Sequence, residues 1–364
     1  MGIKATAAVV HEPEGNFKFL EVELEDPRDD EIVIRLEGSG VCQTDVHAQH
    51  MLPMPAVLGH EGTGVVESVG KSASRVKVGD RVVMSYPWCG TCPNCLKGKK
   101  HICDHDVELN FGGSRLDGSK PVSLDGQPVS SAFFQQSSFA SHAITPERDV
   151  VVVDDLSIAM RAALPCGVLT GAGTIFNEFG LTVGNSLLVA GAGAVGLSAV
   201  MAAKIAGASP IIVADIVDSR LDLARELGAT HTINSRGVDI SEAVTEISRR
   251  GVEFALDTTG NEHVLNQLIA SLGLGGVCAM VTAPNMGETY PFPMTELFLR
   301  AGQLRGIFLG SSDPAVIIPS LIELNREGRF PYERLITEYK FEDINQAFED
   351  SKNGRVIKPI LIMD

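Results

Sequence analysis

The sequence predicts a mixed α/β protein with two domains, one β-rich and one built on a parallel sheet. The chain has 364 residues, more than a single hydrophobic core usually holds. Short β-branched runs separated by Gly, Pro and Asp occupy residues 1 to about 150, which favours an irregular β-rich domain. From about residue 185, apolar strands alternate with Ala-rich or Leu-rich helical stretches, a pattern typical of a parallel α/β sheet.

Individual segments support each half of this prediction. In the first half, 31–36 and 64–69 are predicted to be strands, and 111–129, rich in Gly and Pro, a long surface loop. In the second half, 186–190 and 210–214 are predicted to be buried parallel strands. The regular alternation ends near 306–310, and a helix over 315–327 and a strand over 359–362 are predicted to follow.

Composition argues against several classes of function. The net charge is −16, with 46 acidic and 30 basic residues, so neither nucleic acid nor a membrane surface is an expected partner. The N-terminus lacks a secretory pattern, and no uninterrupted apolar run approaches the roughly 20 residues that span a bilayer. We therefore expect a cytoplasmic location. Four of the seven cysteines lie between positions 89 and 103, which in a reducing compartment indicates metal rather than disulfides.

A dinucleotide-binding motif follows the first strand of the second domain. Gly191, Gly193 and Gly196 stand between the strand 186–190 and a helical stretch, where they would permit a tight turn, close approach of a pyrophosphate, and helix packing on the strand. Asp215 ends the next strand, 19 positions beyond Gly196. Its carboxylate would accept bonds from ribose hydroxyls and repel a 2′-phosphate, which favours NAD over NADP. Arg220 would add ribose contacts, or else is an exposed helix residue.

The cysteine cluster has the spacing of a closed metal site. Cys89, Cys92 and Cys95 recur every three residues, and Cys103 follows eight positions later. Four thiolates complete a tetrahedral shell around zinc and leave no open position for chemistry. An iron–sulfur cluster or a redox dithiol would use similar residues, although neither has an evident role beside a nicotinamide cofactor. We therefore expect a structural zinc.

A second group of metal-binding residue types is dispersed along the first domain. It comprises Cys42, the adjacent pair His60 and Glu61, and Cys166. Spacing alone does not unite these residues. A lone cysteine beside apolar residues is commonly part of a core, and a lone histidine is commonly a hydrogen-bonded polar side chain.

Taken together, these motifs resemble the zinc-containing medium-chain alcohol dehydrogenases over essentially the whole chain. The resemblance is carried by 59–62 with Gly64, the four-cysteine loop, and 191–196, in that order. It implies a Rossmann doubly wound NAD-binding domain over 168–308. It also implies a GroES-like, zinc-binding catalytic domain formed by 1–167 and 309–364.

The resemblance also implies roles for the dispersed residues. Cys42, His60 and Cys166 would bind a catalytic zinc and leave its fourth position open, as two cysteines and one histidine do in alcohol dehydrogenases. Glu61 matches a residue close to the zinc that exchanges as a ligand. Asp45 matches the carboxylate that orients the ligand histidine and sets its tautomer.

Further roles follow from the same resemblance. Thr44 matches the hydroxyl that contacts the substrate oxygen, and His47 matches the outer end of a proton relay, although an exposed loop histidine is an alternative. Thr170 matches a position beside the nicotinamide, and Lys358 one that contacts the pyrophosphate. Gln43 departs from the arginine of several animal enzymes, which predicts a weaker pyrophosphate contact.

The implied activity is the reversible oxidation of an alcohol to its aldehyde by hydride transfer to NAD, with two zinc ions per chain. Segments 133–139 and 166–173 are most similar to aryl (benzyl) alcohol dehydrogenases, so we expect primary aromatic or allylic alcohols, with Phe139 in the substrate pocket. The alternatives are a polyol, terpene-alcohol or formaldehyde-adduct dehydrogenase, or a non-catalytic NAD-binding relative. The family also implies a homodimer or homotetramer.

Overall fold

The computed structural model describes residues 2–282 and 289–363, which divide into two compact units. Unit 1 comprises Met1–Cys166, Asp313–Ser320 and Glu333–Asp364. Unit 2 comprises Gly167–Ser312 and Leu321–Tyr332. The predicted boundaries were 167/168 and 308/309, with all of 309–364 in the first domain. In the structure, Leu321–Tyr332 groups with unit 2.

The strands are numbered in chain order. They are β1 (Ile3–Val10), β2 (Lys18–Leu24), β3 (Glu31–Gly40), β4 (Ala56–Val57), β5 (Gly62–Val69), β6 (Arg81–Met84), β7 (Val122–Leu124), β8 (Gln127–Pro128), β9 (His142–Pro146), β10 (Val150–Val152), β11 (Leu187–Ala190), β12 (Ile211–Asp215), β13 (His231–Asn234), β14 (Val252–Asp257), β15 (Leu272–Met280), β16 (Gln303–Gly306), β17 (Ile336–Lys340) and β18 (Lys358–Ile362).

The α-helices are numbered in the same way. They are α1 (Gln43–Met51), α2 (Pro93–Leu96), α3 (Asp106–Phe111), α4 (Ile158–Ala163), α5 (Leu169–Gly173), α6 (Ala194–Ala206), α7 (Asp218–Leu227), α8 (Ile240–Ile247), α9 (Glu262–Ala270), α10 (Met294–Leu299), α11 (Pro314–Arg326) and α12 (Ile344–Lys352). Shorter 3₁₀ segments are Lys100–Ile102, Phe133–Gln135, Glu147–Asp149, Leu309–Ser311, Tyr332–Leu335 and Phe341–Asp343, and Leu164–Val168 and Thr174–Phe179 are π-helical.

Unit 1 is built on two sheets in which most neighbouring strands are antiparallel. One sheet has the order β4-β1-β2-β7-β8, and the other has the order β10-β6-β5-β3-β18-β17 with β9 also paired to β3. Strand β18 lies antiparallel to β3, with Ile360 opposite Gly40, and parallel to β17. A segment near the C-terminus therefore completes a sheet that begins near the N-terminus.

Unit 2 contains a six-stranded parallel sheet, counted over the described residues, with the order β13-β12-β11-β14-β15-β16. Numbered from β11, this is the 3-2-1-4-5-6 order of the Rossmann fold. Its central strand β11 is buried along its whole length, as expected for a parallel strand covered on both faces. The predicted fold class is confirmed.

Two segments differ from the sequence-based expectation. The predicted surface loop 111–129 contains the short β7–β8 hairpin and the buried Arg115. The helical run Ile158–Phe179 is long and apolar enough to cross a membrane by length and composition, and 83% of its most apolar window is buried inside the protein. The expectation considered only uninterrupted apolar runs, and Arg161 and Asn177 interrupt this one.

Candidate active site

The dispersed metal-binding residues come together in unit 1. Cys42, His60, Glu61 and Cys166 each offer a ligand atom, and these four atoms all lie within 4.8 Å of one another. The two sulfur atoms, of Cys42 and Cys166, are 3.9 Å apart. Cys42 stands between β3 and α1, and His60 and Glu61 immediately precede β5, while Cys166 lies within the π-helical turn after α4.

Asp45 organises this group through three hydrogen bonds. One carboxylate oxygen accepts from the Cys42 amide at 3.0 Å, which caps the first turn of α1. The other oxygen accepts from the Gly59 amide at 3.1 Å and lies 3.0 Å from Nδ1 of His60. The side chain is fully buried. Asp45 therefore fixes both the start of α1 and the orientation of the imidazole.

The imidazole of His60 has the form that a metal ligand needs. With Nδ1 placed to hydrogen-bond to the Asp45 carboxylate, Nε2 is the ring nitrogen that would bind a metal. The ring is buried, and Nε2 has no hydrogen-bond partner in the described part of the chain. A buried nitrogen without a partner is costly unless something else occupies its lone pair. Together with two thiols, this donor set fits zinc.

The thiols and carboxylate of the group have displaced pKa values. The pKa of Cys42 lies well below that of an ordinary thiol, because the Cys166 thiol donates to its sulfur and His60 lies close, although burial opposes the shift. The same contact and burial raise the pKa of Cys166. Burial raises the pKa of Glu61 to about 7 despite the opposing charge of Lys358. Metal binding would require both sulfurs as thiolates.

Lys358 forms a buried ion pair next to this group. Its ammonium group contacts the Glu61 carboxylate and lies 3.4 Å from the carbonyl oxygen of Val41, and both charged side chains are buried. Lys358 begins β18 in unit 1, and the pyrophosphate contact expected from family likeness stays a prediction. Gly40 makes room for the pair, because a Cβ there would lie 1.9 Å from the Glu61 carboxylate.

Aromatic rings cover His60. The Phe134 ring lies 4.7 Å from the imidazole at an interplanar angle of 34°, and the Phe133 ring lies 5.4 Å away at 77°. Phe111 contacts both rings, at 6.1 Å and 5.5 Å. We call Phe111, Phe133 and Phe134 the ring set. Neither Phe133 nor Phe134 was among the predicted site residues, although both lie in the segment 133–139 that resembles aryl alcohol dehydrogenases.

Phe139, which was expected in the substrate pocket, lies elsewhere in unit 1. Its ring is fully buried and packs edge to face on Phe17 at 5.7 Å and on Phe348 at 5.8 Å. The ring therefore packs on other phenylalanines. Phe139 was expected in the pocket from family likeness, whereas the chain turns sharply at residues 134–137 and places the rings of Phe133 and Phe134 against His60.

Thr44 and His47 lie on α1 beside the group. The Thr44 hydroxyl is 3.6 Å from the Cys42 sulfur, and His47 follows one helical turn later. Residues three positions apart share a face of a helix. Both side chains are partly exposed, so the pair could pass a proton from a buried site towards solvent.

The four-cysteine cluster forms a second group in unit 1. The sulfur ligands of Cys89, Cys92, Cys95 and Cys103 all lie within 4.8 Å of one another. Backbone amides point at the sulfurs, as from Cys92 to Cys89 at 3.3 Å and from Cys95 to Cys92 at 3.4 Å. Although burial opposes the shift, amides of Thr91 and Cys92 lower the pKa of Cys89 to about 6. Such a nest of amides fits a closed tetrathiolate zinc site.

The glycine-rich loop of unit 2 has the expected stereochemistry. Gly191 has φ +94°, and a Cβ at Gly196 would lie 1.8 Å from the Gly191 carbonyl oxygen, so both positions need glycine. A Cβ at Gly193 would meet nothing within 4 Å, which leaves space for a bound anion at the start of α6. Within unit 2, this loop therefore fits a dinucleotide phosphate.

The other expected cofactor residues also lie in unit 2. Asp215 ends β12, and its carboxylate accepts from the Ala192 amide at 2.6 Å and from the Val217 amide at 2.8 Å. It therefore holds the glycine loop against β12 and stands where a ribose is expected. Arg220 lies in the first turn of α7, and the buried Thr170 lies in α5.

Comparisons with known proteins agree with this geometry. Residues 28–155 match the alcohol dehydrogenase GroES-like domain family, and residues 194–324 match the zinc-binding dehydrogenase family. The geraniol dehydrogenase of Castellaniella defragrans is 40% identical over 99% of this chain and 98% of its own length. The S-(hydroxymethyl)glutathione dehydrogenase of Komagataella pastoris is 33% identical over 99% of this chain and 98% of its own length.

Solved structures give the same result over the full length of the chain. The benzyl alcohol dehydrogenase of Acinetobacter calcoaceticus superposes with a TM-score of 0.95 at 40% identity, and both chains are covered completely. An alcohol dehydrogenase zinc-binding domain protein from Burkholderia ambifaria gives a TM-score of 0.96 at 43% identity, again with complete coverage of both chains. The chain therefore belongs to the zinc-containing medium-chain alcohol dehydrogenases, which are nicotinamide-dependent oxidoreductases.

Proposed function

We propose that this enzyme oxidises primary aromatic or allylic alcohols to aldehydes, reversibly, with NAD as the hydride acceptor. The observation that carries the proposal is the ring set, in which Phe133 and Phe134 pack on the buried His60 and Phe111 packs behind them. Flat rings prefer to pack against other π-systems, so an alcohol with an unsaturated group beside its carbinol carbon would fit this wall. The similarity to a geraniol and a benzyl alcohol dehydrogenase supports the same substrate class.

Each residue of the site has a distinct task in this reaction. Cys42, His60 and Cys166 would hold zinc, which when bound supplies a Lewis acid that lowers the pKa of an alcohol. Asp45 keeps the imidazole in the ligating tautomer. Thr44 would accept the alcohol proton and His47 would pass it to solvent. The ring set would orient the substrate and exclude water.

We propose NAD rather than NADP because of Asp215. The carboxylate ends β12 next to the glycine loop, where it would bond ribose hydroxyls and repel a 2′-phosphate. We also propose two zinc ions per chain, since each four-residue group has its ligand atoms within 4.8 Å of one another. Six cysteine ligands require a reducing compartment, so we place the enzyme in the cytoplasm.

We further propose that the enzyme is a homo-oligomer assembled through unit 2. Strand β16 is the edge of the six-stranded sheet, and an edge strand can pair with a second copy of itself. The preceding helix α10 leaves three large apolar side chains about 70% or more exposed, those of Met294, Phe298 and Leu299. Sedimentation of the purified protein would test this proposal, and a monomer at all concentrations would contradict it.

The activity is tested by following the reduction of NAD and of NADP with a panel of alcohols, together with metal analysis. The panel would contain benzyl alcohol, geraniol, ethanol, a sugar alcohol and S-(hydroxymethyl)glutathione. We expect two zinc ions per chain, NAD preference, and the highest kcat/KM with benzyl alcohol or geraniol. A preference for the sugar alcohol or the glutathione adduct would contradict the proposed substrate class but would support the proposed zinc- and NAD-dependent reaction. Absence of activity in a zinc-loaded protein would contradict the proposal.

A further inference from the structure

The chain adopts an unusual backbone conformation where it carries Phe133 and Phe134. Phe134, Gln135 and Ser137 have φ values of +50°, +51° and +47°, the left-handed region that residues other than glycine rarely adopt. Each such residue costs about 1–2 kcal/mol relative to ordinary backbone. Three of them within four positions persist only if surrounding contacts over-determine the turn.

The side chain of Gln135 supplies contacts of this kind. It is 6% exposed, and its amide nitrogen lies 2.9 Å from the carbonyl oxygen of Ser114, 3.2 Å from that of Leu109 and 3.3 Å from that of Ala132. Two N–H groups are thus shared among three backbone acceptors. Buried carbonyl oxygens without a donor are costly, so the carboxamide serves Leu109 and Ser114, while the Ala132 oxygen also accepts from the Gln135 backbone amide at 3.0 Å.

These acceptors lie in the two segments that carry the ring set. Leu109 lies in α3, two residues before Phe111, and Ala132 directly precedes Phe133. One carboxamide therefore connects the Phe111 segment to the Phe133–Phe134 turn. The base of the turn is attached separately to the sheets, because the Ser137 hydroxyl donates to the Val57 carbonyl oxygen at 2.7 Å and the Gln136 side chain accepts from the Gly62 amide at 3.0 Å.

We propose that Gln135 is a positioning residue that determines substrate specificity, by holding the ring set against His60. This inference rests on the proposed function, since it explains why the site would select alcohols with a flat unsaturated group. Without the carboxamide, the turn loses its attachment to the Phe111 segment, the strained Phe134 relaxes towards negative φ, and its ring leaves the imidazole. A substrate that relies on the rings loses its orientation, whereas a small alcohol that needs only the metal and Thr44 is affected less.

Two variants test this proposal. Gln135→Leu keeps the approximate size and removes the donors, and Gln135→Gly removes the donors but adopts positive φ without strain, so it folds even if the leucine variant does not. We expect both to raise KM for benzyl alcohol by about tenfold, a change typical of lost preorganisation, with kcat/KM for ethanol changed by less than about threefold. Ser131→Ala is the matched control, because it deletes a buried hydroxyl bonded to Val122 and Val129.

Hydrogen–deuterium exchange of residues 132–139 gives a readout that does not depend on activity. We expect faster exchange there in Gln135→Leu than in the wild type or in Ser131→Ala, with no change in β14. Unchanged exchange, or an equal loss of activity towards benzyl alcohol and ethanol, would overturn the role of Gln135. If exchange accelerates but the wild type never prefers unsaturated alcohols, the proposed substrate class is wrong instead.

Discussion

Lys358 and Glu61 form a buried ion pair beside the proposed zinc ligands. Two thiolates balance the two charges of a zinc ion, and His60 adds none, so the Glu61 carboxylate is a surplus negative charge beside the three ligands. Lys358 supplies the compensating positive charge, and both side chains are buried. An ionised carboxylate without a partner would be very costly there. Lys358 therefore balances the charge of the site.

Replacing Lys358 by methionine should destabilise unit 1 strongly. Removing one member of a buried ion pair typically costs about 3–5 kcal/mol, because the other charge is left uncompensated. We expect a lower Tm for Lys358→Met and a partial recovery in the double variant Glu61→Gln, Lys358→Met, measured by calorimetry on the zinc-loaded protein. If the double variant is no more stable than the single variant, the charge-balance interpretation is wrong.

Asp149 is a second buried carboxylate and gives a pH-dependent prediction. Burial raises its pKa from 3.8 to about 8, although a backbone hydrogen bond with Trp88 opposes the shift. Arg148 and Arg75 oppose the shift only in part. The pKa of Asp149 is higher in the folded than in the unfolded chain. The contribution of Asp149 to stability is therefore most favourable below about pH 4, and it is lost progressively as the pH rises to about 8.

The isosteric variant Asp149→Asn should lose this contribution to the pH dependence. Relative to the wild type it should gain stability progressively between about pH 4 and pH 8, reaching on the order of several kcal/mol. Tm values of both proteins across this range would measure the difference. A constant difference at every pH would show that Asp149 does not titrate in this range.

At the residue scale, the sequence predicted a site best where the residue type itself indicates its chemistry. Cysteine spacing predicted the four-cysteine group, and a glycine motif beside a strand predicted the loop at Gly191. The ring set was missed because it depends on the left-handed turn at Phe134 and Gln135. No glycine or proline marks that turn, and its carboxamide anchor bridges segments distant in sequence.

At the scale of elements, the segment 112–129 illustrates how a polar loop can be fixed in place. Arg115 is 6% exposed, and its guanidinium makes two bonds to Glu31, at 2.7 Å and 2.9 Å, and one to Glu25 at 2.9 Å. Glu31 is the first residue of β3, so the loop is tied to a central strand of unit 1. Composition predicted the loop, but the pairing of Arg115 with residues more than eighty positions away was not predictable.

Arg115→Ala should loosen this loop and destabilise the protein. The substitution leaves the buried Glu31 carboxylate without its bidentate partner, at a cost of about 3–5 kcal/mol. Arg115→Lys should recover only part of this stability, because an ammonium group cannot form the two parallel hydrogen bonds of a guanidinium. Tm and limited proteolysis within 112–129 would measure the effect. Arg28→Ala, which removes an exposed pair with Asp117, is the control and should change Tm little.

At the scale of the whole molecule, the resemblance placed both domains, but periodicity alone did not. Alternating strands and helices predicted the parallel sheet of unit 2 directly. The return of the chain to unit 1 was expected only from family likeness, and the pairing of β18 with β3 was not predicted. Pairing across such a separation has no local signature, since any apolar strand could fill that edge. The grouping of Leu321–Tyr332 with unit 2 was not predicted either, because it also has no local signature in the sequence.

The two proposed metal sites should differ in their effect on the whole protein. Cys95→Ser opens the four-cysteine group, so we expect loss of one zinc and a lower Tm, because a structural zinc contributes directly to folding free energy. Metal analysis and calorimetry would measure both. Cys278→Ser is the control, since Cys278 lies in β15 outside both groups and should leave two zinc ions bound. Retention of two zinc ions in Cys95→Ser would contradict the assignment.

The pairing of β18 with β3 has a consequence for biosynthesis. Translation delivers the predicted zinc ligands and all of unit 2 before it reaches Lys358. Until then, Glu61 has no counter-charge and the Gly38–Gly40 end of β3 has no partner strand at Ile360–Ile362. A nascent chain stalled before residue 358 thus has an incomplete metal-binding centre and an unpaired strand edge, and unpaired edges promote aggregation. Completion of the centre is thus coupled to synthesis of β18, so chains truncated before β18 should be recognised by chaperones and proteases.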